Sequence, residues 1–83
     1  MITKEEAEQF IAMMNWASSE EAIQSMDVRM FKQYNKKDKV NKVMYEITSI
    51  EWNNKWKQRR GKGESLIKAM EDYTNGRSTI ETM

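Results

Sequence analysis

Apolar residues recur at intervals of three and four near the start of the chain. Thr3 and Glu6 match the capping-box pattern, in which each side chain accepts a hydrogen bond from a free backbone N–H at a helix start. The apolar residues that follow fall on one helical face, and they are Ala7, Phe10, Ile11, Met14 and Ala17. The pattern predicts a first helix that begins after Thr3.

A second capping-box pattern follows, formed by Ser18 and Glu21. It predicts a second helix from about Ser19. The apolar stripe of this helix consists of Ile23, Met26, Met30, Phe31 and Tyr34. The next residues, 35–38, are all polar, so we expect a connection there.

Residues 39–60 fit two patterns. Val43, Tyr45 and Ile47 alternate as in a strand, whereas a helical spacing joins Val40, Val43, Met44, Ile47 and Ile50. We favour one long helix over about residues 39–60, because Asp38 can cap it and neither glycine nor proline interrupts it. The alternative is a strand hairpin within residues 43–58 that turns at residues 53–54, where the glycine typical of a tight turn is missing.

The last part of the chain predicts one short helix. Gly61 and Gly63 break the preceding pattern, and Asn75 with Gly76 is a typical helix end. Between them, the apolar stripe consists of Leu66, Ile67, Met70 and Tyr73. We therefore predict an all-α fold, a small bundle of three to four helices in a single domain over residues 1–76. Residues 77–83 are expected to be a polar C-terminal tail.

The residue inventory excludes most catalytic chemistry. The 83 residues include no cysteine and no histidine. Cysteine is a common catalytic nucleophile, histidine is the commonest general base, and both are common metal ligands. We predict a protein that is not an enzyme, with no catalytic residue, cofactor or metal.

The longest apolar run, residues 11–14, is too short for a membrane span, and acidic residues stand where a signal peptide is apolar. A cytoplasmic location is expected.

The net charge of +1 conceals a basic middle segment. Residues 1–29 carry a net charge of −4, residues 30–62 carry +7 and residues 63–83 carry −2. On the predicted long helix, an aromatic side would lie opposite the aliphatic side and next to basic residues. Tryptophan, tyrosine and arginine contribute much of the binding energy in protein interfaces. The predicted partner-binding residues are Tyr45, Trp52, Trp56, Arg59 and Arg60.

The leading functional hypothesis is a small regulatory or inhibitor protein that binds a protein partner stoichiometrically through this basic and aromatic helix surface. Its size and composition are typical of phage accessory proteins. The alternative is a binder of single-stranded RNA or DNA that uses the basic segment 32–62, where rings stack on bases and cations hold phosphates. Its predicted contacts are Lys36, Lys37, Lys55, Lys57, Arg59, Arg60 and Lys62. In a third interpretation the aromatic side is ordinary core or the interface of a homodimer.

Overall fold

The chain folds into two helices and four strands. The structure, a computed structural model, describes residues 1–75 and 78–82, the last five by their backbone only. The elements in order are α1 (Lys4–Ser19), β1 (Ile23–Asn35), β2 (Val40–Trp52), β3 (Trp56–Gly63), α2 (Leu66–Asn75) and β4 (Ser78–Thr82). The strands form one antiparallel sheet in the order β1-β2-β3-β4, and both helices pack on the same side of it. The fold is α+β.

The prediction of an all-α bundle is therefore wrong. Residues 23–35, predicted as the second helix, form β1, and the long helix predicted over residues 39–60 is instead β2, a turn and β3. The alternative hairpin is the one that forms, and it turns at residues 53–55. Asn54 takes the left-handed conformation there, with φ of 65°, which asparagine tolerates in place of glycine.

The β1–β2 connection confirms the predicted polar turn. The Asn35 side-chain oxygen accepts the N–H of Lys37 at 2.9 Å, an Asx turn that bends the chain after β1. Lys39, with φ of 55°, completes the reversal before β2. The turn aligns two 13-residue strands, so that Asn35 pairs with Val40 at one end and Ile23 with Glu51 at the other.

Helix α1 begins as predicted. The Glu6 N–H donates to Thr3 Oγ1 at 3.1 Å, and the Thr3 N–H donates to Glu6 Oε1 at 3.1 Å, which completes the capping box. The second predicted helix start is wrong, because α1 continues through Ser18. The Ser18 hydroxyl donates to the Asn15 carbonyl at 2.8 Å instead of capping a new helix.

The core lies between α2 and the centre of the sheet. Its buried apolar residues are Tyr45 and Ile47 from β2 with Leu66, Ala69, Met70 and Tyr73 from α2. These α2 residues include most of the stripe predicted for the short helix, which is confirmed. The Tyr73 hydroxyl and the Ser49 hydroxyl are hydrogen-bonded at 2.6 Å within this core, so neither buried polar group lacks a partner.

The sequence pattern predicts that Gly61 and Gly63 end the element before α2. They belong instead to β3. A Cβ atom on Gly61 would lie 2.2 Å from the Tyr73 backbone nitrogen, and one on Gly63 would lie 2.5 Å from Lys68 Cβ. The missing side chains therefore allow α2 to rest directly on β3. Gly76, predicted to end α2, lies outside the described residues.

The segment predicted as a C-terminal tail, residues 77–83, contains a strand. Ser78–Thr82 forms β4 and pairs with β3, with Ser78 opposite Arg60 and Thr82 opposite Trp56.

In the described part of the chain, no helix is long and apolar enough to cross a bilayer.

Candidate binding surface

The side of the sheet opposite the helices carries a continuous row of exposed and half-buried residues, called here the open face. Strand geometry places every second residue on each side. On β2 and β3 the open face consists of four cross-strand pairs, Trp52 with Trp56, Ile50 with Gln58, Thr48 with Arg60 and Glu46 with Lys62. No helix in the described part of the chain packs over these residues. They therefore form an ordered surface that is available to a partner.

Trp52 and Trp56 flank the β2–β3 turn and form an exposed aromatic pair. Their ring centroids are 4.8 Å apart with an interplanar angle of 52°, a tilted arrangement favourable for aromatic rings. The two side chains are 46% and 45% exposed. The backbone N–H of Trp52 also donates to the Ala22 carbonyl at 2.7 Å, which joins this end of β2 to the residue before β1. With Ile50, itself 39% exposed, the pair forms an apolar patch, called here the tryptophan corner.

The other end of the open face is charged. Along β3 its residues are Trp56, Gln58, Arg60 and Lys62, so the surface changes from apolar to basic over one strand. Glu46 partly offsets this charge, because its Oε1 accepts a hydrogen bond from Arg29 Nε of β1 at 2.9 Å. The open face therefore combines an apolar corner with a mixed but predominantly basic end.

Phe31 joins the charged end from β1. The Arg29 guanidinium carbon lies 4.9 Å from the centre of the Phe31 ring, and Lys62 Nζ lies 5.9 Å from it. Both distances are within the range of cation–π contacts. The ring holds Arg29 and Lys62 on the same side of the sheet, so the positive charge of this end has a defined position.

The structure separates the five predicted partner-binding residues. Trp52, Trp56 and Arg60 share the open face, whereas Tyr45 is only 7% exposed and belongs to the core. Arg59 points to the helix side, where its guanidinium carbon lies 5.4 Å from the Tyr73 ring. Burial and orientation therefore exclude Tyr45 and Arg59 from the candidate surface.

The seven basic residues predicted for nucleic-acid binding do not form one tract. Lys36 and Lys37 lie in the β1–β2 turn, and Lys55 lies in the β2–β3 turn at the opposite end of β2. A 13-residue strand separates these turns by about 40 Å. Lys57 and Arg59 face the helix side, which leaves Arg60 and Lys62 on the open face.

Sequence reasoning missed four members of this surface, Ile50, Thr48, Glu46 and Gln58. The signal that identifies them is a period of two, counted backward from Trp52 and forward from Trp56. That period becomes visible only once the hairpin turn at residues 53–55 is known.

The described residues hold no cluster of three acidic side chains that could bind a metal ion.

No protein-family model, curated protein or solved structure matches this chain. Only the sequence and the geometry of the fold therefore bear on its function.

Proposed function

We propose that the chain is a non-enzymatic regulatory or inhibitor protein that binds a protein partner stoichiometrically through the open face of its sheet. The tryptophan corner inserts into an apolar depression of the partner, and Arg60 and Lys62 contact acidic groups beside it. The proposal includes action in the cytoplasm, a reducing compartment that suits a chain without cysteine.

The observation that supports this proposal best is the exposure of two adjacent tryptophans on an ordered strand pair. Tryptophan is enriched at interface hot spots because it buries a large area and has few rotatable bonds. Here the ring contact between Trp52 and Trp56 already restricts both rings, and the backbone bond from Trp52 to Ala22 orders the main chain that carries Trp52. Binding would therefore cost little additional side-chain entropy.

The charge of the open face indicates the chemistry of the partner. Arg60 lies two strand positions beyond Gln58 and Lys62 two positions beyond Arg60, all on the same side as Trp56. A partner that buries the tryptophan corner therefore brings its neighbouring residues over these cations. Acidic residues at that position would be attracted, while basic residues would be repelled.

The test is an affinity capture from the native host with the wild-type chain and the Trp52→Ala/Trp56→Ala variant. Both rings are nearly half exposed, so we expect the variant to fold and to lose a stoichiometric partner that the wild type retains. Trp16→Ala is a matched control, because Trp16 is 43% exposed but lies on α1, away from the open face. Retention of every captured protein by the folded double variant would contradict the proposal.

Single-stranded nucleic acid is the rival ligand, and the same variants distinguish it. Rings beside Arg60 and Lys62 could stack on bases, and such binding weakens steeply with salt because counterions are released. Fluorescence anisotropy with labelled single-stranded RNA and DNA at low salt measures this directly. Binding that falls steeply with added salt and disappears in Trp52→Ala/Trp56→Ala would replace a protein partner by a nucleic acid.

A further inference from the structure

Strand β1 has one unpaired edge. It lies at the end of the sheet order, pairs with β2 on one side, and has no strand of the described residues on the other. A 13-residue strand with free N–H and C=O groups is a template for pairing with another chain, and proteins usually protect such edges. Nothing among the described residues protects this one by a proline or a covering helix.

The helix side of this edge is apolar and uncovered. Val28 and Met30 are 42% and 55% exposed, although their cross-strand neighbours Ile47 and Tyr45 are buried. Helix α2 covers the centre of the sheet, while α1 lies beside β1 around residues 23–26. The edge therefore presents both free backbone groups and exposed apolar side chains.

We infer that two copies of this chain pair through β1, antiparallel, about a two-fold axis at Val28. Each Val28 then faces Val28 of the partner subunit, and each Met26 faces Met30 of the partner subunit. On the open side of the same strands, Asp27 lies opposite Arg29 of the partner subunit. The interface thus combines an apolar ladder on the helix side with two symmetric ion pairs on the open side.

The charges select this register over its neighbours. Moving the axis to residue 27 sets Asp27 against Asp27 of the partner subunit, and moving it to residue 29 sets Arg29 against Arg29 of the partner subunit. Like charges directly opposite one another destabilise a strand pair. The Arg29 side chain is 66% exposed while it contacts Glu46, so it remains accessible to a second carboxylate. Only the axis at Val28 pairs opposite charges among these three.

Helix α1 extends the same interface. Met14 lies with Ile23 and Met26 around a groove between α1 and β1, and Met14 is 40% exposed. Because Met30 of the partner subunit faces Met26, the pairing brings it beside Met14. Met30, which is 55% exposed in one copy, is thereby covered by α1 of the other copy.

The pairing joins two four-stranded sheets into one continuous sheet of eight strands. Both tryptophan corners then lie on the same open face, related by the two-fold axis. The dimer surface shares no residue with the tryptophan corner, so this inference stands or fails independently of the proposed function.

Cysteine crosslinking in the 83-residue chain tests the dimer, since its sequence contains no cysteine. Directly opposed residues of antiparallel strands have Cα atoms about 4.5 to 5.5 Å apart, within the reach of a disulfide. We expect Val28→Cys to form a disulfide-linked dimer under mild oxidation. Val43→Cys is the matched control, because Val43 is 39% exposed on the same side of the sheet but belongs to β2 and not to the edge. It should stay uncrosslinked.

Further variants test the register of the two paired β1 strands. Met30→Cys alone should not crosslink, but a mixture of Met30→Cys and Met26→Cys should. Asp27→Lys should raise the dimer dissociation constant about tenfold in sedimentation equilibrium, because it replaces two ion pairs by repulsion with Arg29. Glu71→Lys, the same charge change on exposed α2 surface, should leave that constant unchanged.

Two results would overturn the inference. One is a wild-type chain that sediments as a monomer at every concentration. The other is efficient crosslinking of Val43→Cys with none for Val28→Cys, which would place the contact away from the β1 edge. Circular dichroism of each cysteine variant, reduced, establishes that the fold is retained before the crosslinking is compared.

Discussion

Two neighbouring strands of the sheet are buried very differently. Ile47 of β2 is fully buried, whereas Val28, its cross-strand partner on β1, is 42% exposed. Tyr45 and Met30, the next pair on the same side of the sheet, repeat the contrast at 7% and 55%. The reason is that the ten-residue α2 covers only β2 and β3. Stability is therefore concentrated under α2, while the β1 edge and the open face are left for contacts with other molecules.

The largest expected effect is at the point where α2 touches the sheet. Gly61→Ala places a Cβ 2.2 Å from the Tyr73 backbone nitrogen and 2.4 Å from the Ala69 carbonyl oxygen, so α2 must move. We expect a loss above about 3 kcal/mol, at the upper end for overpacking and a large part of the total for a domain of this size. Urea unfolding followed by circular dichroism measures it.

Lys62→Ala is the control for this substitution, because Lys62 is the next residue of β3 but faces the open side. Its loss should be within about 0.5 kcal/mol, as for other surface substitutions. Equal stability of Gly61→Ala and Lys62→Ala would show that the packing of α2 on β3 does not set the stability of the domain.

A smaller effect separates two isoleucines on the same strand. Ile47→Ala removes a fully buried side chain and should cost about 3 kcal/mol through lost burial and a residual cavity. Ile50→Ala removes the same atoms from a position 39% exposed on the open face, and should cost less than about 1 kcal/mol. Denaturant midpoints of the two variants, measured under identical conditions, give the difference. A larger loss for Ile50→Ala would reverse the assignment of the covered and open sides.

The smallest effect concerns the contact between the helices and depends on pH. Glu6 Oε2 accepts the Ile67 N–H at 3.0 Å, and this bond, followed by that from the Thr3 N–H, lowers the pKa of the Glu6 carboxyl below 4.5. Since folding lowers the pKa, the stabilisation is present above the unfolded value of about 4.5 and is lost as pH falls through the folded value. Glu6→Gln should therefore be less stable than the wild type at neutral pH, and the two should converge in acid.

Thermal melts of the wild type and Glu6→Gln across this pH range provide the measurement. Glu5→Gln is the matched control, since Glu5 occupies the same helical turn but is exposed. A constant difference between wild type and Glu6→Gln at all pH values would indicate that the Glu6 charge has no part in joining α1 to α2.

The elements that the sequence predicted correctly are those whose signals are local. The Thr3 and Glu6 capping box defines the start of α1 within four residues, and Asn35 closes its turn through its own neighbours. The stripe of Leu66, Met70 and Tyr73 identifies α2 because one face of that helix is buried. Three members of the candidate surface, Trp52, Trp56 and Arg60, are also among the predicted partner-binding residues, but the prediction places them on a helix and includes the buried Tyr45.

Strand β1 was mispredicted because its burial pattern is incomplete. A strand with one buried and one solvated side shows a clear alternation, but β1 is largely exposed on both sides and carries apolar residues on each. Met26 and Met30 on the helix side and Phe31 on the open side then imitate a helical spacing. A helix and a strand differ in the partners of their backbone hydrogen bonds. A helix bonds within itself, whereas a strand bonds to another strand that is remote in the chain.

The sequence by itself determined the first helix, the last helix, the polar turn between β1 and β2, and a residue inventory without cysteine or histidine. Only the tertiary structure decided that residues 23–63 form a sheet, that Tyr45 is core while Trp52 and Trp56 are exposed, and that Gly61 serves helix packing. The physical reason is distance along the chain. Capping and helical periodicity act over three or four residues, whereas strand pairing and the contact of α2 with β3 join residues up to 28 positions apart.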